Sequence, residues 1–135
     1  MEITYRPIGV MHSPLKVSGG APLFYTESDV KGVIEVYREY EAGLADLDGY
    51  GHIVVVFHFH GSSGYDLLQR RRGGGPLKGV FSLRSPNRPN AIGISVLRLL
   101  SIDDNMIHVD NVDILDQTPI LDIKPYKPSD YPGVC

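Results

Sequence analysis

Four short stretches concentrate the residue types that do chemistry. RSPNRPNAIG, from Arg84 to Gly93, packs two arginines, two asparagines and two prolines into ten residues. Pro86 and Pro89 hold their own φ at about −65° and push Ser85 and Arg88 out of the α region, so the stretch cannot be helical. Asn87 and Asn90 favour turns, and Gly93 admits close approach of a backbone or ligand. Arg84 and Arg88 therefore sit on a stiff scaffold with little entropy to lose, which describes a preorganised anion receptor. RRRGGG, from Arg70 to Gly75, places three adjacent cations that repel one another unless an anion is present, and it reads as a phosphate contact. DQTP, from Asp116 to Pro119, is a turn in which Asp can accept backbone N–H bonds and Pro presets φ. His58 and His60 form an H-x-H pair on one strand face. They suit a metal only with a third ligand, and none stands at a characteristic spacing; lining a pocket by hydrogen bonds is the other reading.

These stretches need elements to hold them. Gly (15) and Pro (10) are spread along the chain, which suits many short strands joined by tight turns. Strands are expected at Ile8 to His12, Val33 to Tyr37, His52 to His60, Gly79 to Leu83, Ala91 to Ser101, Met106 to Leu115 and Ile120 to Tyr126. One short helix is expected at Glu39 to Leu47. The fold class is all-β, a small closed or nearly closed barrel of about seven strands. In His52 to His60, alternation assigns Ile53, Val55, Phe57 and Phe59 to the core. In the strand after the corner, Ile92, Ile94 and Val96 share one face, while Ala91, Gly93 and Ser95 make the other face shallow enough for a ligand or a second protein surface.

The charge distribution names a partner class. Net charge is −3, but Leu67 to Ile102 holds no Asp or Glu and seven cations: Arg70, Arg71, Arg72, Lys78, Arg84, Arg88 and Arg98. The remainder carries six basic and sixteen acidic residues, a net of −10. An anion-binding face on an acidic body follows. The 135 residues suit one domain. No apolar run approaches the roughly 20 residues of a membrane span, the N-terminus has no signal-peptide layout, and the lone Cys135 is the last residue, so a cytoplasmic protein is expected. G-x-x-x-x-G-K-[ST], G-x-G-x-x-G and G-x-S-x-G are all missing, so P-loop, dinucleotide and serine-hydrolase readings have no motif support.

Taken together, PIGVMHSPLK, LDGYGHIVVVFHFH, GVFSLRSPNRPNAIGISVLRL and VDILDQTPILDIKPY closely resemble the TsaA-like (TrmO) family of S-adenosylmethionine-dependent tRNA adenine-N6 methyltransferases, from Pro7 to Tyr126. The resemblance implies a small β-barrel that binds S-adenosylmethionine outside any Rossmann fold and acts as a homodimer; with no third ligand beside His58 and His60, no metal is expected. It implies methylation of N6 on an adenosine immediately 3′ of the anticodon that carries a threonylcarbamoyl group. Cofactor contacts would fall on Pro22, Leu23 and Phe24, on His60 and Gly61, on Arg84, on the backbone near Ile94, and on Asp116, Gln117, Thr118 and Pro119. Where relatives often have Pro-Arg-Gln-Pro and His-Gln, this chain has APLF and His60-Gly61. Methyl transfer is an in-line displacement that positioning can accelerate, and Asn90 and Asp116 are assigned to it. Arg70, Arg71, Arg72, Lys78 and Arg88 would hold tRNA phosphates. A non-catalytic RNA- or nucleotide-binding barrel is the alternative, and a metal-dependent enzyme using His58 and His60 is the third class.

Overall fold

Period-two patterns of Val, Ile and Phe close six strands into a barrel. The computed structural model describes residues 1–16, 28–71, 73–131 and 133. The strands are β1 (Gly9–His12), β2 (Gly32–Val36), β3 (His52–His58), β4 (Leu68–Gln69), β5 (Lys78–Gly79), β6 (Ile92–Asp103), β7 (Met106–Asp110) and β8 (Pro119–Tyr126). The closed barrel runs β1-β2-β7-β6-β3-β8, all its pairings antiparallel, and β4 and β5 form a separate hairpin. Alternate residues fill the interior: Met11, Ile34, Val36, Ile53, Val55, Phe57, Leu97, Ile107, Val109 and Ile120 are all buried. The all-β closed barrel agrees with the sequence reading, with six barrel strands in place of about seven.

Three element boundaries are corrected. Gly79 to Leu83 is not a strand: beyond Gly79 the chain turns through a 3₁₀ helix, Val80–Ser82, which buries Val80 and leaves Phe81 78% exposed. β7 stops at Asp110 rather than Leu115, because Asn111 takes φ +64° and spends its amide on the Ser28 carbonyl at 2.8 Å, turning the chain out of the ladder. The helix is 3₁₀, Arg38–Leu44, with no side-chain cap at its start and Gly43 near its end, and a second 3₁₀ turn follows at Leu47–Gly49. Short uncapped segments favour such tight turns over an α-helix.

β6 is twelve residues long and β7 only five. Residues 98–103 of β6 pair with β7, whereas 92–97 pair only with β3. Among the described strands, the second backbone edge of 92–97 is therefore unpaired, and it faces one mouth of the barrel.

Candidate active site at one mouth of the barrel

Antiparallel order decides what meets there. The ends of β1, β3 and β7 and the starts of β2, β6 and β8 all lie at the same mouth, so the described residues 13–16, 28–31, 59–71, 73–91 and 111–118 lead out of or into the barrel at that end. Among the described residues, those assigned above to cofactor, catalysis or RNA fall on these segments or on the strand ends beside them. Pro22, Leu23, Phe24, Arg72 and Cys135 lie outside the described residues.

The corner from 84 to 91 is stitched to the connection leaving β3. Phe59 N–H donates to the Ala91 carbonyl at 2.8 Å, Ser62 Oγ meets the Pro86 carbonyl and Asn87 Oδ1 at 2.9 Å each, and Gln69 Nε2 donates to the Asn87 carbonyl at 2.6 Å. Those bonds set Asn87 beside Gly61, Tyr65, Asp66 and Gln69, around a polar recess of about 590 Å³. Arg84 and Asn90 are exposed on the rim. Arg88 differs from Arg84, because its Nη1 donates to the carbonyls of Leu83 and Ser85, both at 3.0 Å. One face of that guanidinium holds the corner's shape, a use that sequence reasoning did not assign.

At Asp116 the chain turns tightly. Thr118 N–H and Oγ1 both reach the Leu115 carbonyl, and Gln117 takes φ +67°, the value a type II turn demands at its third position. Asp116 does not cap its own turn. Its Oδ1 accepts Ser13 N–H at 2.9 Å and its Oδ2 accepts Lys16 Nζ at 2.6 Å, so the carboxylate ties β1's exit to β8's entry. Lys16, then the Ser13 N–H, lower the Asp116 pKa to about 2. At neutral pH this group is an anion and a poor proton acceptor. Ser13 and Lys16 were not singled out from sequence, since the partners are about a hundred residues from Asp116 and carry no motif spacing.

β6 reverses the expected use of its faces. The shallow face points into the barrel, where Phe57 and Phe59 meet edge to face with centroids 5.1 Å apart. A Cβ at Gly93 would stand 2.5 Å from ring carbons of Phe57, so glycine is required by aromatic packing rather than by a ligand. Buried Ser95 donates from Oγ to Asp113 Oδ1 at 2.7 Å, which brings a second carboxylate to the mouth. Ile92 and Ile94 face outward, 41% and 50% exposed. Ile94 therefore contributes no side chain to the interior, only backbone on the strand stretch whose second edge is unpaired.

The basic stretch caps the β4–β5 hairpin. Arg70 and Arg71 lie on its exposed tip, Lys78 begins β5, and Gly73, Gly74 and Gly75 all take positive φ. Arg70 Nη1 donates to the Gly75 carbonyl at 2.7 Å, which shapes the tip. Tyr65, Leu67, Leu68, Leu77 and Phe81 on the same arm are exposed, an apolar surface the sequence reading overlooked. His58 and His60 are both exposed, and among the described residues no three His, Cys, Asp or Glu converge as a metal site. A second recess, about 640 Å³, lies at the opposite mouth between Tyr40, Leu44, Tyr50 and Asp122. It holds none of the assigned residues.

The family described as tRNA-methyltransferase O N-terminal domain matches residues 10–130. The chain belongs to that family. Among members of the tRNA-methyltransferase O N-terminal domain family and their kin, a probable S-adenosyl-L-methionine-binding protein of Pyrococcus abyssi is 44% identical, over 95% of this chain and 70% of its own. The mouse tRNA (adenine(37)-N6)-methyltransferase is 34% identical, over 90% of this chain and 30% of that enzyme. The crystal structure of TrmO from Pseudomonas aeruginosa superposes with a TM-score of 0.82 at 29% identity, covering 99% of this chain and 59% of that one. The chain thus spans about three-fifths of the solved TrmO chain and less than a third of the mouse enzyme.

Proposed function

We propose that the protein is an S-adenosylmethionine-dependent tRNA (adenine-N6)-methyltransferase whose active site is the mouth where the end of β1, the connection after β3 and the 111–118 turn meet. The observation that carries the reading is convergence: the stiff corner, the anionic Asp116 turn and the one-sided edge of β6 meet at one end of a closed barrel, with a cationic arm attached.

The residues present fit the methyl donor. S-adenosylmethionine, when bound, supplies the methyl group as a sulfonium, and a cation is favoured beside the ionised Asp116. Its holders are His60, Gly61, Arg84, the Ile94 backbone and Asp116 to Pro119, with Pro22, Leu23 and Phe24 completing the set. Asn90 and Asp116 orient the reacting amine, and a carboxylate with a pKa of about 2 acts by charge and position, not as a general base. Hydrogen-bond acceptance from the adenine N6–H raises the nitrogen's nucleophilicity without full proton transfer.

Arg70, Arg71, Arg72 and Lys78 hold tRNA phosphates, with Arg88 contributing whatever donors its carbonyl contacts leave. The substrate is the adenosine 3′ of the anticodon, bearing a threonylcarbamoyl group, and the reaction is cytoplasmic. The protein acts as a homodimer. Ile92 and Ile94 on the outer face of β6 and Tyr65, Leu67, Leu68, Leu77 and Phe81 on the arm are exposed apolar side chains that a partner copy would cover.

Incubating the protein with tRNA and isotope-labelled methyl donor, then analysing nucleosides by mass spectrometry, tests the reading. The expected product is labelled N6-methyl-N6-threonylcarbamoyladenosine; tRNA without label refutes methylation. The commitment of Asp116 to Ser13 and Lys16 supports one second reading, a barrel that binds the nucleotide without catalysis. A protein stabilised thermally by the methyl donor yet leaving tRNA unlabelled would establish it.

A further inference from the structure

The turn that carries Gln117 is continuous with a hydrogen-bonded chain on the outside of the barrel. His12 points outward from β1. Its Nε2 meets Glu35 Oε1 on β2 at 2.8 Å, and its Nδ1 meets Gln117 Nε2 at 3.3 Å. The same Gln117 Nε2 reaches Asp116 Oδ2 at 3.4 Å, and Asp116 Oδ2 accepts Lys16 Nζ. The chain therefore reads Glu35, His12, Gln117, Asp116, Lys16, and with His12 a neutral imidazole one assignment of protons satisfies all of it.

Both ends impose that assignment. Glu35 as a carboxylate only accepts, so His12 must donate from Nε2, and a neutral imidazole protonated there presents Nδ1 as an acceptor. Asp116 also only accepts, since Lys16 and Ser13 keep it ionised. Gln117 thus faces two acceptors and must turn its NH₂ toward both, one hydrogen to each. Its side-chain carbonyl oxygen is left as the group not engaged in the chain. Each contact from Gln117 is long and weak singly. Their common direction fixes a side chain that is otherwise exposed, on a backbone already held at φ +67°.

We propose that His12 and Glu35 are positioning residues which lock the Gln117 amide so that its Oε1 stands at the mouth as a hydrogen-bond acceptor for an N–H or O–H donor of the bound nucleotide. The ligand half rests on the methyl-donor reading above; the network half does not. The donor so recognised belongs to the amine or hydroxyl groups of a nucleoside-bearing cation, because an acceptor aligned beside the Asp116 carboxylate discriminates against anionic groups. The charged and titratable groups around His12 are Glu35 from β2, Asp116 and Lys16 from the flanking connections, and His108, which shares Val33 as its cross-strand neighbour from β7.

The first test is spectroscopic and needs no ligand. Nitrogen-15 and carbon-13 shifts of the His12 ring at neutral pH should report the Nε2–H tautomer, and Glu35→Gln, which can present either an acceptor or a donor, should mix in the Nδ1–H form. A wild-type Nδ1–H tautomer overturns the network. The second test is titration calorimetry with S-adenosylmethionine, with unfolding midpoints checked for each variant. His12→Ala and Gln117→Ala should each weaken binding about 3- to 10-fold, the range for one net hydrogen bond. His12→Asn, whose Oδ1 can stand near the Nδ1 position, should recover most of that loss. In turnover the loss should appear in KM for the methyl donor, with kcat changed less than about threefold, as for uniform binding. Wild-type binding with an unchanged His12→Ala affinity overturns the positioning role. A wild type that binds no methyl donor overturns the reading of the site itself and the ligand half with it, while the tautomer still decides the network.

Discussion

Replacing Asp116 by Asn removes one charge and keeps the shape, and the structure says how much that should matter. The Asn Oδ1 can still accept the Ser13 N–H, so the bond at 2.9 Å is retained in weaker, uncharged form. What disappears is the pair with Lys16 at 2.6 Å, and the lysine side chain is 67% exposed, so solvent screens it. The expected cost at pH 7 is about 0.5–1.5 kcal/mol, a drop in Tm of roughly 2–6 °C for a chain this size. The sign with pH follows from the lowered pKa. A carboxylate held at about 2 in the folded state, against 3.8 ordinarily, contributes its stabilisation above about pH 4 and loses it as pH falls toward 2. Denaturant midpoints of wild type and Asp116→Asn, measured in steps from pH 7 to pH 2.5, should show a constant gap at the neutral end that narrows below pH 4. Equal midpoints at pH 7, or a gap that stays constant into the acid range, would refute the assigned partnership.

Further outcomes follow from the same contacts. Gly93→Ala forces a methyl to within 2.5 Å of the Phe57 ring and should cost about 1–3 kcal/mol, read as a fall in Tm of roughly 3–10 °C. Neutralising Arg70, Arg71 and Lys78 together should make the dependence of tRNA affinity on salt shallower by about 2–3 in log–log slope; an unchanged slope removes the arm from the phosphate contacts. Ile94→Asp puts a charge on the outer face of β6, where the wild-type side chain is 50% exposed, and should shift sedimentation from twice the 14.9 kDa chain mass to that mass alone. A wild type that sediments as a monomer at micromolar concentration would instead remove the homodimer.

The barrel was legible because its signal is local. In β3 the alternation of Ile53, Val55 and Phe57 names the buried face directly, and the DQTP turn announces itself in four letters. Side-chain size misled in β6. Ala91, Gly93 and Ser95 look like room for a ligand, yet at Gly93 the rings of Phe57 and Phe59 occupy that space, and which face of a strand turns inward is decided by neighbours absent from the strand itself. The length of β7 was overestimated because its apolar pattern continues past Asp110, while the event that ends it is a left-handed Asn111 bonded to Ser28. The same holds for Asp116, whose motif was visible but whose partners, Ser13 and Lys16, are set by barrel closure between the first and last strands. Arg88 was legible as a rigid cation, and its bonds to Leu83 and Ser85 show that part of its donor capacity maintains the rigidity inferred from the prolines.

Backbone amide shifts during titration with S-adenosylmethionine test most directly whether this mouth of the barrel is the site. The perturbed amides should cluster in 13–16, 59–62, 84–95 and 113–119. Shifts concentrated instead in 38–50 and 122–125, around the recess at the opposite mouth, would contradict it.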